Sequence, residues 1–309
     1  MRVAYAKALA EIMDKNSNII ALVADNTLSL WNEIINNNGD RFFDFGICEA
    51  NVVGISAGLA DCGKIPFVYI MSPFLAYRAY EFIRNDVCFQ NMNVKLVGNS
   101  SGISNNNFGP THHTTEDIAA LRALPNLTIL SPATPEEAYQ AAFAAAAYMG
   151  PVYIRLGKIN EREFYGDDYE FKIGQGVIMR EGTDITVIST GSVLGEVFEA
   201  DEVLRAENIS LNIINMPTIK PLDEQIIIAA AEKTGRIITL EEHSVYGGLG
   251  GAVAEVLAKN KLAVDLKIIG LEGFAQRYGW HQDIKKINGL SSHRVLEEAR
   301  SMMKEGKLK

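Results

Sequence analysis

The chain has 309 residues, 48% of them hydrophobic and 22% charged, with a formal net charge of −9 at pH 7. That length supports two domains of ordinary size, each with its own core, and the acidic balance argues against nucleic acid and anionic membrane surfaces as partners, since both need clustered positive charge. Cys48, Cys62 and Cys88 are odd in number and form no CxxC pair, which argues against a disulfide framework or a zinc site and for a reducing, cytoplasmic setting.

Strands alternate with helices along the whole sequence, which predicts an α/β protein of two mainly parallel sheets, each covered by helices on both faces. The first residues lack the unbroken apolar core of a leader and run into an amphipathic helix over about 2–15. No run approaches membrane-spanning length. A strand over 18–24 comes next, then another at 42–47, with Glu49 at its junction to the following helix. From Glu49 a helix is expected, with Gly54, Ala57 and Gly58 giving it a smooth packing face and Gly63 stopping it. A strand over 66–70 leads into an aromatic helix in which Phe74, Tyr77 and Tyr80 fall three apart. The loop Asn105-Asn106-Asn107-Phe108-Gly109-Pro110-Thr111-His112-His113 is built of turn formers and precedes a helix near 116–124. Thr134-Pro135-Glu136-Glu137 reads as a capping box opening the next helix. We place a first domain at 1–157, a charged and aromatic linker at 158–182, and a second domain at 183–309 with strands near 184–189, 209–215, 236–241 and 265–270 and a last helix near 293–304.

Three of these segments carry chemistry. A lone acid in a first helical turn is ordinarily a macrodipole partner, an aromatic stripe is ordinarily core, and adjacent histidines have many uses. Here they occur together, in the order Glu49, then Phe74, Tyr77 and Tyr80, then Gly-Pro-Thr-His. In that combination the chain resembles the pyrimidine-binding half of thiamine-diphosphate enzymes of the transketolase family. The resemblance continues through Leu121-Arg122-Ala123-Leu124-Pro125-Asn126 and Gly150-Pro151-Val152-Tyr153-Ile154-Arg155. Beyond these, Ile188-Ser189-Thr190-Gly191-Ser192 and Glu241-Glu242-His243 with Gly247-Gly248-Leu249-Gly250 are similar to the family's C-terminal domain.

The resemblance implies thiamine diphosphate as cofactor. Glu49 would engage N1′ of the aminopyrimidine so that the 4′-imino group can take the thiazolium C2 proton; a carboxyl buried against apolar walls has a raised pKa, which favours such sharing. Phe74, Tyr77 and Tyr80 would hold the pyrimidine, with Phe74 as the stacking ring. His112 would hydrogen-bond the donor's hydroxyl or carbonyl, with His113 as a second candidate. Arg2 and Lys158 stand where the family grips an anionic tail.

Departures from the family pattern matter as much. No Gly-Asp-Gly motif with a following Asn is present, and Gly166-Asp167-Asp168 does not replace it. The resemblance is therefore to the C-terminal subunit of a split transketolase, with diphosphate and Mg²⁺ ligands supplied by a separate N-terminal subunit in an assembly of two copies of each. Phe108 stands where many transketolases have an Asp that reads a sugar hydroxyl, and Asn26 and Ser100 stand for the phosphate-contacting Ser and His, which leaves open a modified, deoxy or unphosphorylated sugar and a hydroxyethyl rather than dihydroxyethyl donor fragment. Three functions remain open at this point: ketol transfer between sugars, a decarboxylating enzyme acting on 2-oxo acids (deoxyxylulose-phosphate synthase-like or pyruvate dehydrogenase beta-like), and a scaffold that kept the fold.

Overall fold

A computed structural model describes residues 1–24, 28–157, 161–166 and 168–305. Lys158 and Asn26 lie outside the described residues, as does Asp167 of the Gly-Asp-Asp run.

In chain order the first half runs α1 (Arg2–Lys15), β1 (Ile19–Val23), α2 (Asn32–Asn38), β2 (Phe42–Asp44), α3 (Glu49–Asp61), β3 (Ile65–Met71), α4 (Tyr80–Phe82), β4 (Lys95–Asn99), α5 (Asp117–Arg122), β5 (Thr128–Leu130), α6 (Pro135–Ala147) and β6 (Val152–Arg155). The second half runs β7 (Val177–Arg180), β8 (Ile185–Ser189), α7 (Leu194–Ala206), β9 (Leu211–Asn215), β10 (Thr218–Lys220), α8 (Glu224–Thr234), β11 (Arg236–Ser244), α9 (Leu249–Lys259), β12 (Asp265–Leu271), α10 (His281–Ile287) and α11 (Ser292–Glu305).

The strands form a seven-stranded sheet ordered β10-β5-β6-β4-β3-β1-β2 and a five-stranded sheet ordered β12-β11-β8-β9-β7. Among the described residues, only β10 and β7, each at an edge, run antiparallel to their neighbours. The buried strands β1, β4, β5, β6, β8 and β9 are covered at every position, as expected for parallel strands with helices on both faces.

Two features depart from the expected organisation. The segment 158–182 is not a plain linker, because Val177–Arg180 adds a strand to the second sheet. The first sheet also borrows β10 from the second half, with Thr218 opposite Leu130. Lys220 at the end of β10 donates to the carbonyls of Arg122, at 3.0 Å, and Leu124, tying the borrowed strand to the end of α5. Consistent with this interweaving, one apolar core runs from Val52, Val53 and Val68 on the α3 face of the first sheet to Ile227, Leu249 and Val253 on the α8–α9 face of the second. The opposite face of the first sheet packs on α1 and α6 around Tyr5, Trp31 and Tyr69, where Tyr5 stacks on Tyr69 at 5.7 Å and Trp31 meets Tyr69 edge-on at 4.7 Å.

Local signals act as the sequence indicates. Thr134 accepts from the Glu137 amide at 3.1 Å, and Glu137 reaches back to the Ala133 amide at 2.6 Å, a reciprocal N-terminal cap. A side chain at Gly54 would touch the Phe82 ring at 3.5 Å, so the smooth face of α3 lets α4 come close.

Candidate active site

Strands β1 to β4 and β6 end along one edge of the first sheet, and loops leaving the carboxyl ends of parallel strands are where open α/β sheets collect ligands. The β2 exit delivers Glu49. Its backbone turns at Gly46, with φ of +66°, and Glu49 is the first residue of α3, where the macrodipole favours a carboxylate. The side chain is 4% exposed. Its walls are not purely apolar as expected, because Arg78 Nη1 lies 2.8 Å from Glu49 Oε2. Arg78 itself is about half exposed, at 52%.

Arg78 reaches Glu49 from the β3 exit. Phe74–Arg78 forms a π-helical turn rather than the α-helix expected, and Ile83–Phe89 forms another around the short α4. The extra residue in a π turn shifts the helical phase of the residues after it, and such turns recur at functional sites. Phe74, Tyr77 and Tyr80 therefore do not make a simple α stripe. The Tyr77 hydroxyl donates to Glu116 Oε2 at 2.8 Å and accepts from the Glu116 amide at 3.0 Å, and Tyr80 donates to the Ala120 carbonyl at 3.2 Å. Both phenols brace α5, Tyr77 at its N-cap and Tyr80 midway along it.

Phe74 faces elsewhere. The Arg78 guanidinium lies over its ring at 4.7 Å, and the His112 imidazole meets it edge-on, with centroids 5.3 Å apart. His112 stacks on Phe108 at 4.9 Å, and its Nδ1 is 2.9 Å from Thr111 Oγ1. Glu49, Arg78, Phe74, His112 and Phe108 thus form one continuous chain of contacts drawn from three strand exits. A planar, N–H-bearing cation now rests on the Phe74 face while bonded to the Glu49 carboxylate. An aminopyrimidine needs the same pair, a π face beneath it and a carboxyl at its edge, so the described residues fit that half of the cofactor. For the metal the donor set does not fit: among the described residues no cluster of three or more His, Cys, Asp or Glu is placed to hold an ion.

The remaining expected residues lie differently. His113 is buried at 3% exposure, and burial lowers its pKa, offset in part by the Glu242 carboxylate, so its ring is neutral at pH 7. Arg2 bears on the Tyr69 hydroxyl, and Tyr69 belongs to the α1-facing core, not to the Glu49 chain. Ser100, with φ of +58°, turns its hydroxyl onto Asn99 Oδ1 at 2.9 Å. Sequence reasoning missed Arg78. No α-helical spacing signalled it, because Phe74–Arg78 is a π turn.

The family description "Transketolase, pyrimidine binding domain" matches residues 1–163, and "Transketolase, C-terminal domain" matches residues 174–294. A chain of Methanocaldococcus jannaschii, named provisionally as a transketolase C-terminal section, is 38% identical over 98% of this chain and 96% of its own length. A subunit of the apulose-4-phosphate transketolase of Actinobacillus succinogenes is 35% identical, covering 92% of both chains. Among solved structures, a split-gene transketolase described as an inactive β4 tetramer superposes with a TM-score of 0.89 at 35% identity, over 97% of each chain. Among the described residues no helix is long and apolar enough to cross a membrane.

Proposed function

The chain belongs to the transketolase family as the C-terminal subunit of a split, ketol-transferring enzyme, and from that premise we propose that Glu49, Phe74 and His112 are its working residues. We further propose a cytoplasmic assembly of two such chains with two copies of a separate N-terminal subunit that carries the diphosphate and Mg²⁺ ligands. The observation that carries this reading is the contact chain from the buried Glu49 carboxylate through Arg78 and Phe74 to His112.

When bound, thiamine diphosphate supplies the carbanion chemistry that no side chain can. The residues of this chain orient and move protons around it. The Glu49 carboxyl would hold the pyrimidine N1′ and share a proton with it, and the Phe74 ring, on which the half-exposed Arg78 guanidinium rests, would supply the stacking face. His112, wedged between Phe74 and Phe108, is held in one orientation and hydrogen-bonds the donor's oxygen next to the reacting carbon. Tyr77 and Tyr80 act indirectly, by bracing α5. Arg2 and Lys158 remain proposals for an anionic tail. Relatives that match this chain end to end are named as transketolase subunits or sections, which favours ketol transfer from a ketose to an aldose over decarboxylation of a 2-oxo acid. A scaffold would have no use for the buried carboxylate aligned with two rings.

Two experiments test this reading. Phe74→Ala in the assembled enzyme is expected to weaken cofactor affinity by about 1–3 kcal/mol, the scale of base–aromatic stacking; unchanged affinity by titration returns Phe74 to a purely structural role. Phe108, at 58% exposure, presents an apolar wall that cannot accept a hydrogen bond from a sugar hydroxyl. Phe108→Asp should move the preference among acceptor aldoses toward the more hydroxylated, by roughly tenfold in kcat/KM for one hydrogen bond to a charged group. An unchanged acceptor profile removes Phe108 from specificity.

A further inference from the structure

We propose that Glu242, in the second domain, is a positioning residue that sets the loop bearing Phe108 and His112, so that the C-terminal domain acts on the reaction without contributing a group to it. The proposal rests on the site reading above for its catalytic consequence, and on geometry alone for the clamp itself. The loop leaves β4 and closes on itself at a bridge between Gly102 and Thr114, with Gly102 N to Thr114 O at 3.1 Å and Thr114 N to Gly102 O at 2.8 Å. Everything between, His112 included, hangs from that base.

β11 grips the base at both ends. Glu242 is buried and its Oε1 accepts from the Ile103 amide at 2.7 Å, just inside the bridge. On the other side, Ser244 N donates to Thr115 O at 2.6 Å. Arg155 Nη2 joins them, donating to the carbonyls of Thr114 at 3.0 Å and Glu242 at 2.9 Å. The carboxylate is in turn fixed by second-domain groups: Ser192 Oγ donates to Oε2 at 2.7 Å, and His281 Nε2 lies 3.0 Å from Oε1. The approach is so close that only glycine serves at position 102. Its φ is +65°, and a Cβ there would lie 2.6 Å from the Glu242 carboxyl. Ile103 then inserts among Leu271, Ala275, Ile284 and Leu290 of the second domain. Further along, Asn106 donates to the Gly279 carbonyl and Tyr278 packs on Gly109.

Burial opposes the charge on Glu242, but His281, with the Ser192 bond and more distant Lys285, outweighs it and holds the pKa at about 2. The clamp is therefore anionic at working pH. An anion with this many donors is costly to leave half satisfied, which is what makes it a stiff anchor.

The test is hydrogen exchange on the full chain, followed by kinetics of the assembled enzyme. Glu242→Gln keeps shape and removes charge; it is expected to raise exchange at the amides of 102–116 by roughly tenfold or more. Asp201→Asn is the control, a buried second-domain carboxylate paired with Arg180, and it should leave those amides unchanged. Ser192→Ala removes one donor without threatening the fold, and should raise exchange at the same amides by roughly threefold. It decides the matter if Glu242→Gln does not fold. In the assembly, Glu242→Gln should lower kcat by roughly tenfold while cofactor Kd stays within about threefold, since Glu49 and Phe74 lie outside the loop. Unchanged exchange at 102–116 in the charge-removed variant and in Ser192→Ala, or an increase spread evenly over both domains, overturns the clamp. Raised exchange with unchanged kcat overturns its role in the reaction while leaving the ketol-transfer reading untouched.

Discussion

Glu49→Gln is expected to lower kcat of the assembled enzyme by roughly 10²- to 10⁴-fold, the range for loss of a positioned proton-sharing group, with almost no cost to the fold. The asymmetry follows from the burial of the two partners. Glu49 is 4% exposed, so it is the carboxylate that the site has taken out of water, whereas Arg78 is 52% exposed and keeps its hydration when its partner becomes neutral. A half-exposed ion pair of this kind is worth about 1 kcal/mol or less. Thermal unfolding of the variant should therefore track the parent while turnover disappears. Retained turnover would take Glu49 out of the mechanism, and a large loss of stability with the turnover would make the kinetic result uninterpretable as chemistry, which is why both are read on one preparation.

Arg155→Met carries the largest expected loss of stability, about 3–5 kcal/mol, because it strands a buried carboxylate. Arg155 Nε sits 2.9 Å from Asp117 Oδ2 and 3.2 Å from Oδ1, with side chains 4% and 0% exposed. Removing the guanidinium leaves Asp117 with the Tyr153 hydroxyl at 2.8 Å, and leaves the carbonyls of Thr114 and Glu242 without their shared donor. Denaturant midpoints check this. The double variant Arg155→Met, Asp117→Leu should recover a large part of the loss, since an apolar pair no longer buries an uncompensated charge. A single variant within about 1 kcal/mol of the parent would show that the pair contributes little to holding the two halves together.

Glu49 was legible in the sequence because its position is local: a strand, a glycine turn and a helix with small residues leave one carboxylate at a junction. Thr134 and Pro135 announced α6 by the same kind of local rule. The His112 loop was visible as turn formers, though nothing in its composition placed His112 between Phe74 and Phe108 while burying His113. What escaped was long-range. β10 is three residues that pair with a strand nearly ninety positions earlier, and β7 is a short, half-exposed edge strand inside a charged, aromatic segment, so neither has the apolar run that marks a buried strand. Arg78 escaped because a π turn is a phase slip that α periodicity cannot anticipate. The Glu242 clamp joins residues 139 apart in the chain, beyond the reach of any local pattern.

If this chain holds half of a cofactor site, it needs another subunit for the rest. The decisive measurement is calorimetric titration of thiamine diphosphate with Mg²⁺ into the chain alone, and then into its mixture with the candidate N-terminal subunit. The expected result is no tight binding by the chain alone and tight, stoichiometric binding by the mixture; tight binding by the chain alone, or none by either, would refute the divided site.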